Sequence, residues 1–288
     1  MLSSSLIYII LNRNEFISGS SLIKSFENRL LKRSLSSINE TKTNKEIIDL
    51  PSFIPFTSFR TYHIDELTSP LTINELIQEA KETNKFTIFC DQDHSIQGSI
   101  QIQLIQSTQS YMISIKSSLD FSTLLCHHIH QLFVVIFDHH HHTNRIINIW
   151  GNMDDILRIL NSYDMFSYNM NYLIDIIDVQ QRFKQWYNKT FDHNIDCKQI
   201  LDYHNIDGPL CSCSHRPLKT LNEQWRLEYA IAYTFSQNLN VKNDDIDANI
   251  HKCLAITSLA SVIEQQWTRK QIKGYIWKCR RQHVFMKL

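Results

Sequence analysis

Short apolar runs and alternating stretches in the first half of the chain predict a β-rich block. Residues 86–90 are a nearly continuous apolar run, which is typical of a strand buried on both faces. Residues 99–106 alternate between polar and apolar positions with period two, which predicts a half-exposed strand. Residues 111–115 predict a third strand. Because the links between these strands are short, and parallel neighbours need a longer crossover, we expect an antiparallel meander.

Helical spacing begins after Asp120 and then alternates with strand patterns. Upstream, a short strand at 62–64 precedes a helix that Ser69 or Thr72 would cap. The later strands are predicted at 145–150 and 172–179, and the later helices at 153–160, about 183–187, about 221–239 and 244–267. The order predicts an α/β fold, with a mixed sheet of antiparallel and parallel strands flanked by helices.

Composition narrows the class of protein. The 288 residues include only five Gly and five Pro, which argues against folds rich in tight turns. Seven scattered cysteines, an odd number, indicate reduced thiols and an intracellular protein, nuclear or cytoplasmic. The Ser-rich, basic N-terminal segment leaves a mitochondrial presequence open as an alternative. No stretch approaches the ~20 apolar residues that span a bilayer, so we expect no membrane partner.

Charge is balanced overall, and a basic segment stands at the end of the chain. We predict a disordered leader at 1–45, one domain at 46–243 and a helical basic tail at 244–288. From residue 268 to 288 there are seven Lys or Arg and no acid. Cations interleaved with aromatic rings suit nucleic acid, although a solvated helix end would look the same. The candidate nucleic-acid-binding residues are Arg269, Lys270, Lys273, Trp277, Arg280 and Arg281.

Asp91 and Asp93 follow the apolar run at 86–90 directly. In an extended chain, side chains at i and i+2 point to the same face. Two carboxylates that converge at a strand end are suitable ligands for a divalent cation such as Mg²⁺. The alternative is that they merely open a polar loop.

The surrounding motifs favour the metal-binding interpretation. Asp155 begins a helix after an apolar strand, Asp178-Val179-Gln180 follows another strand, and Tyr229 and Tyr233 stand four residues apart on a late helix. In order and context, residues 60–240 resemble the 3'-5' exonuclease domain family of the ribonuclease H-like fold. This is the DEDD type, to which ribonuclease D and Werner exonuclease domains belong.

The resemblance implies hydrolysis of phosphodiester bonds by two metal ions, Mg²⁺ or Mn²⁺. It implies that Asp91 bridges both ions, that Asp93 holds the ion carrying the nucleophilic water, and that Asp155 holds the other. It places Tyr229 beside the attacking water. The implied substrates are 3' ends of single-stranded DNA or RNA, and the sequence does not distinguish the two.

Two departures from the family pattern predict an impaired site. Asp93 stands where the family has Glu, which is longer by one C–C bond. Tyr233 stands where the family has its last Asp, and a phenol with a pKa near 10 stays neutral at pH 7. A nucleic-acid-binding relative with little catalysis is therefore expected. The alternative is a catalytically inactive protein that binds partners on the same fold.

A run of four histidines at 139–142 leaves two interpretations open. It is a surface loop of biased composition or a metal-binding segment, and ligands need fixed spacing and supporting hydrogen bonds that a run does not specify.

Overall fold

The computed structural model of the chain describes residues 47, 49–90, 99–107, 109–116, 123–137, 145–162, 175–191, 224–239 and 245–285. The chain divides into two compact units, Met1–Asp49 and Leu50–Leu288. The predicted leader at 1–45 lies outside the described residues, as do Asp91, Asp93 and the histidines at 139–142. The elements below all belong to the second unit.

Six strands and seven helices form the described part of the second unit. In chain order they are β1 (Phe59–Ile64), α1 (Pro70–Glu82), β2 (Lys85–Cys90), β3 (Ser99–Ile105), β4 (Ser110–Lys116), α2 (Thr123–Phe137), β5 (Ile146–Ile149), α3 (Met153–Ser162), β6 (Asp175–Asp178), α4 (Val179–Thr190), α5 (Leu227–Phe235), α6 (Asp245–Glu264) and α7 (Arg269–Phe285). The predicted strands and helices are confirmed in type, and Ser69 is the N-cap of α1. Helix α5 begins later than predicted, because residues 224–226 are not helical. Within these described helices, none is both long and apolar enough to cross a membrane.

The six strands form one mixed sheet in the order β1-β4-β3-β2-β5-β6. Strand β3 runs antiparallel to β2 and β4, which confirms the predicted meander. Strands β2, β5 and β6 are parallel to one another, and β1 is parallel to β4. The predicted ribonuclease H-like α/β fold is confirmed by this topology. One consequence is that β2, β5 and β6 bring their carboxyl ends to the same edge of the sheet.

One face of the sheet is apolar and is covered by α1 and α2. Phe86 and Ile88 of β2 are fully buried there, together with Leu76 of α1 and Phe133 of α2. Burial of each such side chain stabilises the fold by roughly 1.5–3 kcal/mol. This layer fixes β2, and therefore the point where β2 ends.

The opposite face of the sheet is polar, and α6 covers it. Gln101 and Gln103 of β3 are fully buried, so the prediction of a half-exposed strand is wrong. Helix α6 carries matching polar groups: the Thr257 hydroxyl donates to Gln103 Oε1 at 2.5 Å and lies 2.7 Å from the Thr87 hydroxyl. Asn249 Nδ2 donates to a serine of β3 at 3.1 Å. The polar positions of the alternation therefore face a helix instead of water.

Candidate active site

A cleft of about 620 Å³ opens at the edge of the sheet where β2, β5 and β6 end. Carboxyl ends of parallel strands are the usual place for ligands in α/β folds. We call it the front cleft, and its described lining is Ile88, Phe89, Cys90, Trp150, Gly151, Asn152, Asp155, Ile156, Asp178, Gln180, Gln224 and Lys252.

Asp178 ties two walls of the front cleft together. Its Oδ1 accepts a hydrogen bond from the Gln181 backbone N–H at 3.2 Å, which caps the N-terminus of α4. The same oxygen accepts from the Gly151 N–H at 3.3 Å. Gly151 has a φ of 97°, a backbone conformation that side-chain-bearing residues rarely adopt. The turn after β5 is thereby held against the start of α4.

Asp155 lies in the first turn of α3 and contributes the second described carboxylate of the front cleft. Its Oδ1 accepts from Arg158 Nη2 at 2.8 Å, across one turn of the helix. The side chain of Asp155 is 39% exposed and that of Arg158 is 78% exposed. The charge of Asp155 is therefore partly compensated by a cation that water also reaches.

Tyr229 and Tyr233 lie on α5, outside the described lining of the front cleft. Tyr229 is 8% exposed, and the Arg226 guanidinium lies 5.9 Å from its ring centroid. The Tyr233 ring lies 6.2 Å from the Trp225 ring, at an interplanar angle of 74°. The structure thus brings Asp155 to the front cleft, whereas Tyr229 is buried on α5 and Tyr233 packs against Trp225.

The side chain of Gln180 connects the front cleft to the backbone just before α5. Gln180 Nε2 donates to the Trp225 carbonyl at 2.7 Å. Trp225 is 1% exposed and packs edge-on against Phe183 at 5.1 Å. Because Gln180 lines the front cleft and Trp225 precedes α5, this hydrogen bond sets where α5 begins relative to the cleft.

Two charged lining residues, Asp178 and Lys252, were not among the predicted site residues. Asp178 belongs to the motif Asp178-Val179-Gln180, and its position after a strand and before a helix is the signal of an N-cap. Lys252 comes from α6, where its Nζ lies 5.5 Å from the Phe89 ring centroid. No local pattern marks Lys252, because only the long-range packing of α6 on the sheet places it there.

The described residues do not by themselves form a metal site. They contain no group of three His, Cys, Asp or Glu side chains that could hold an ion. Asp155 and Asp178 each accept hydrogen bonds from protein donors. Asp91 and Asp93 follow Cys90, a lining residue, but lie outside the described part of the chain.

Helix α7 carries the predicted nucleic-acid-binding residues on its exposed surface. Ile272 and Cys279 are buried on one side. Trp277, on the other side, is 54% exposed, and the Arg281 guanidinium stacks over its ring at 3.6 Å. Lys270, Lys273 and Arg280 are exposed, and Arg269 lies 5.6 Å from the Phe191 ring centroid.

Comparisons with known proteins find several solved structures, two of which illustrate the low level of similarity. Trypanosoma brucei RNase D is 8% identical, with a TM-score of 0.40 over 78% of this chain and 74% of that chain. The EXD2 exonuclease domain, in a crystal soaked in Mn and GMP, is 11% identical, with a TM-score of 0.32 over 76% of this chain and 94% of that chain. No protein-family model and no curated protein matches the sequence. The strand order, rather than these similarities, identifies the fold.

Proposed function

We propose that this chain is a nucleic-acid-binding relative of the 3'-5' exonucleases with little hydrolytic activity. The 3' end of a DNA or RNA single strand would enter the front cleft, and α7 would hold the strand outside it. The observation that carries the proposal is the front cleft itself. It lies where three parallel strands end, and it contains Asp155 at the start of a helix, as the resemblance requires.

The sequence connects this cleft with the acidic pair. Cys90 lines the front cleft, and Asp91 is the next residue along the chain. We assign Asp91 to the same cleft because it follows Cys90 directly in the chain. Asp91, Asp93 and Asp155 would hold Mg²⁺ or Mn²⁺, which supply a polarised water and stabilise the leaving oxygen when bound.

Two contacts support weak catalysis. Arg158 donates to one oxygen of Asp155, so a metal ion would compete with it for this carboxylate. At Tyr233, where the family pattern has its last carboxylate, the side chain is a phenol packed against Trp225. Fewer free carboxylate oxygens mean weaker binding of hard divalent cations.

A nuclease assay on 5'-labelled single strands tests the proposal, with Mg²⁺ or Mn²⁺ and with EDTA as the blank. We expect slow, metal-dependent shortening from the 3' end. It should be abolished by Asp91→Ala and by Asp155→Ala. The matched control is Asp154→Ala, because Asp154 is an exposed neighbour on α3 that does not line the front cleft. Shortening that survives Asp155→Ala would contradict the assignment.

The second candidate function is partner binding without catalysis. It is favoured by the same contacts of Arg158 and Tyr233, which leave the fold intact while weakening the site. Absence both of metal-dependent shortening and of single-strand binding, in wild type and in Asp91→Ala alike, would support it. The two candidates differ in nucleic-acid binding and hydrolysis, not in fold.

A further inference from the structure

A second cleft, of about 580 Å³, lies between α4, α6 and the sheet. It shares no lining residue with the front cleft. The two clefts alternate along the junction of β6 and α4: Ile177 and Val179 line this second cleft, whereas Asp178 and Gln180 line the front cleft. We call the second one the rear cleft.

The charge of the rear cleft is opposite to that of the front cleft. Lys85, Arg182 and Lys189 line it together with one acid, Glu264. Glu264 pairs with Lys85. Arg182 and Lys189 are exposed on α4, and neither has an ion-pair partner among the described residues. Arg182 and Lys189 lie two turns apart on the same face of α4, about 10 Å along its axis, so a phosphate between their long side chains can accept from both.

A buried amide lines the interior of the rear cleft. Asn148 is 2% exposed, and its Nδ2 has no hydrogen-bond partner within the described structure. Its neighbours Ile147 and Ile149 face the apolar core on the other side of β5. A buried donor without an acceptor is costly, and an interior strand position is usually apolar. A ligand oxygen or ring nitrogen would supply the missing acceptor.

The remaining wall of the rear cleft is apolar and partly aromatic. Trp186 is held in place by a hydrogen bond from its indole nitrogen to the Trp267 carbonyl at 3.2 Å. Val179 and Ile263 are buried beside it. A cleft of this volume accepts a small organic molecule rather than a lone ion.

We infer that the rear cleft binds a small organic phosphate, with its phosphate at Arg182 and Lys189 and a hydrogen-bond acceptor of its body at Asn148. A nucleoside monophosphate combines these groups and is the probe of choice. The inference does not depend on hydrolysis in the front cleft. Because α4 and β6 form walls of both clefts, a ligand in the rear cleft also contacts the elements that carry Asp178.

Calorimetric titration of the full chain with AMP, adenosine and inorganic phosphate, in EDTA, tests the inference. We expect AMP to bind more tightly than either of the other two. The double variant Arg182→Ala/Lys189→Ala should weaken AMP binding at least about tenfold, since it removes two charge-assisted hydrogen bonds. The matched control is Arg60→Ala/Lys116→Ala, which removes the same charge from exposed positions of β1 and β4 outside both clefts and should leave AMP affinity unchanged.

Further variants separate the alternatives. Asn148→Ala should weaken the binding of AMP and leave the binding of inorganic phosphate unaffected. If Asn148→Ala does not fold, the Arg182→Ala/Lys189→Ala variant, whose changes are on the surface, provides the test. Asp155→Ala should leave AMP affinity unchanged. The inference is overturned if wild type binds no AMP, if AMP binds no more tightly than phosphate or adenosine, or if Asp155→Ala weakens AMP while the Arg182/Lys189 variant does not. The last result would place the nucleotide in the front cleft.

Discussion

Arg158 and Asp155 form an ion pair across one turn of α3, with 2.8 Å between Nη2 and Oδ1, at the front cleft. A metal ion and Arg158 would compete for the same carboxylate. Exposed pairs of this kind contribute about 0.2–1 kcal/mol, so the competition is modest and the arginine can be displaced.

Removing this competitor should strengthen metal binding. We expect Arg158→Ala to raise the affinity for Mn²⁺ by about 1.5- to 5-fold, which corresponds to the strength of an exposed ion pair. Titration calorimetry measures the affinity directly. Arg280→Ala removes an equal charge from α7 and should leave the affinity for Mn²⁺ unchanged. If both variants raise this affinity equally, the cause is the net charge of the protein and not the release of Asp155.

The phenol of Tyr233 can be replaced by the carboxylate of the family pattern. We expect Tyr233→Asp to raise metal-dependent shortening of single strands several-fold, because a fourth carboxylate binds hard cations better than a phenol does. Tyr233→Asn is the matched control, since it causes the same loss of packing on Trp225 without the charge. If Asp and Asn behave alike, a carboxylate on α5 does not reach the front cleft.

The cap formed by Asp178 should contribute measurable stability. Asp178→Ala removes the acceptor of both the Gln181 and the Gly151 N–H groups. We expect it to lower the free energy of unfolding by about 1–2 kcal/mol. Asp178→Asn keeps an acceptor oxygen and should lower it by less. Urea denaturation measures these differences, with the exposed Asp175→Ala as a control on the same strand. A loss as large in Asp175→Ala would indicate a general effect of charge.

Two glycines should respond to alanine with opposite signs. Gly151 has a φ of 97°, so Gly151→Ala should lower the free energy of unfolding by about 1–2 kcal/mol through backbone strain. Its added Cβ would meet only Gln180 Oε1, at 3.9 Å, so steric overlap is not the cause. Gly274 lies inside α7 with open space around it, and Gly274→Ala should raise the value by about 0.5–1 kcal/mol. Thermal or urea unfolding gives both values, and the same sign for both would contradict the backbone argument.

Periodicity predicted the element order because each strand and helix carries its own pattern. It did not predict what covers a polar face. Gln101 and Gln103 alternate with apolar residues just as a solvent-exposed strand would, yet α6 buries them. The apolar spacing after Asp120 likewise did not specify which side of α2 is buried: Leu124 is 57% exposed, whereas Ile129 is buried. A short amphipathic pattern leaves this side open, because several neighbouring positions are apolar.

Only part of the candidate site could be predicted, because the sequence shows local patterns but not the packing of distant elements. Asp155 was found because strand, turn and helix start are local signals. Its partner Arg158 was missed although i and i+3 spacing on a helix permits an ion pair. Lys252 and Asn148 acquire their significance only through the packing of α4 and α6 on the sheet, which no local pattern specifies.

The exposed face of α7 should bind single-stranded nucleic acid through both stacking and charge. Trp277 offers a ring that is 54% exposed, with Arg281 stacked over it. Stacking of one base on an aromatic ring contributes about 1–3 kcal/mol, so Trp277→Ala should weaken binding of an oligonucleotide at least about fivefold. Lys273→Ala should weaken binding less and reduce the slope of log affinity against log salt by about one.

Fluorescence anisotropy over a salt series measures both effects. Lys116→Ala, an exposed lysine at the end of β4, serves as the control. A salt slope that falls equally in Lys116→Ala would mean that overall charge, and not the surface of α7, attracts the strand.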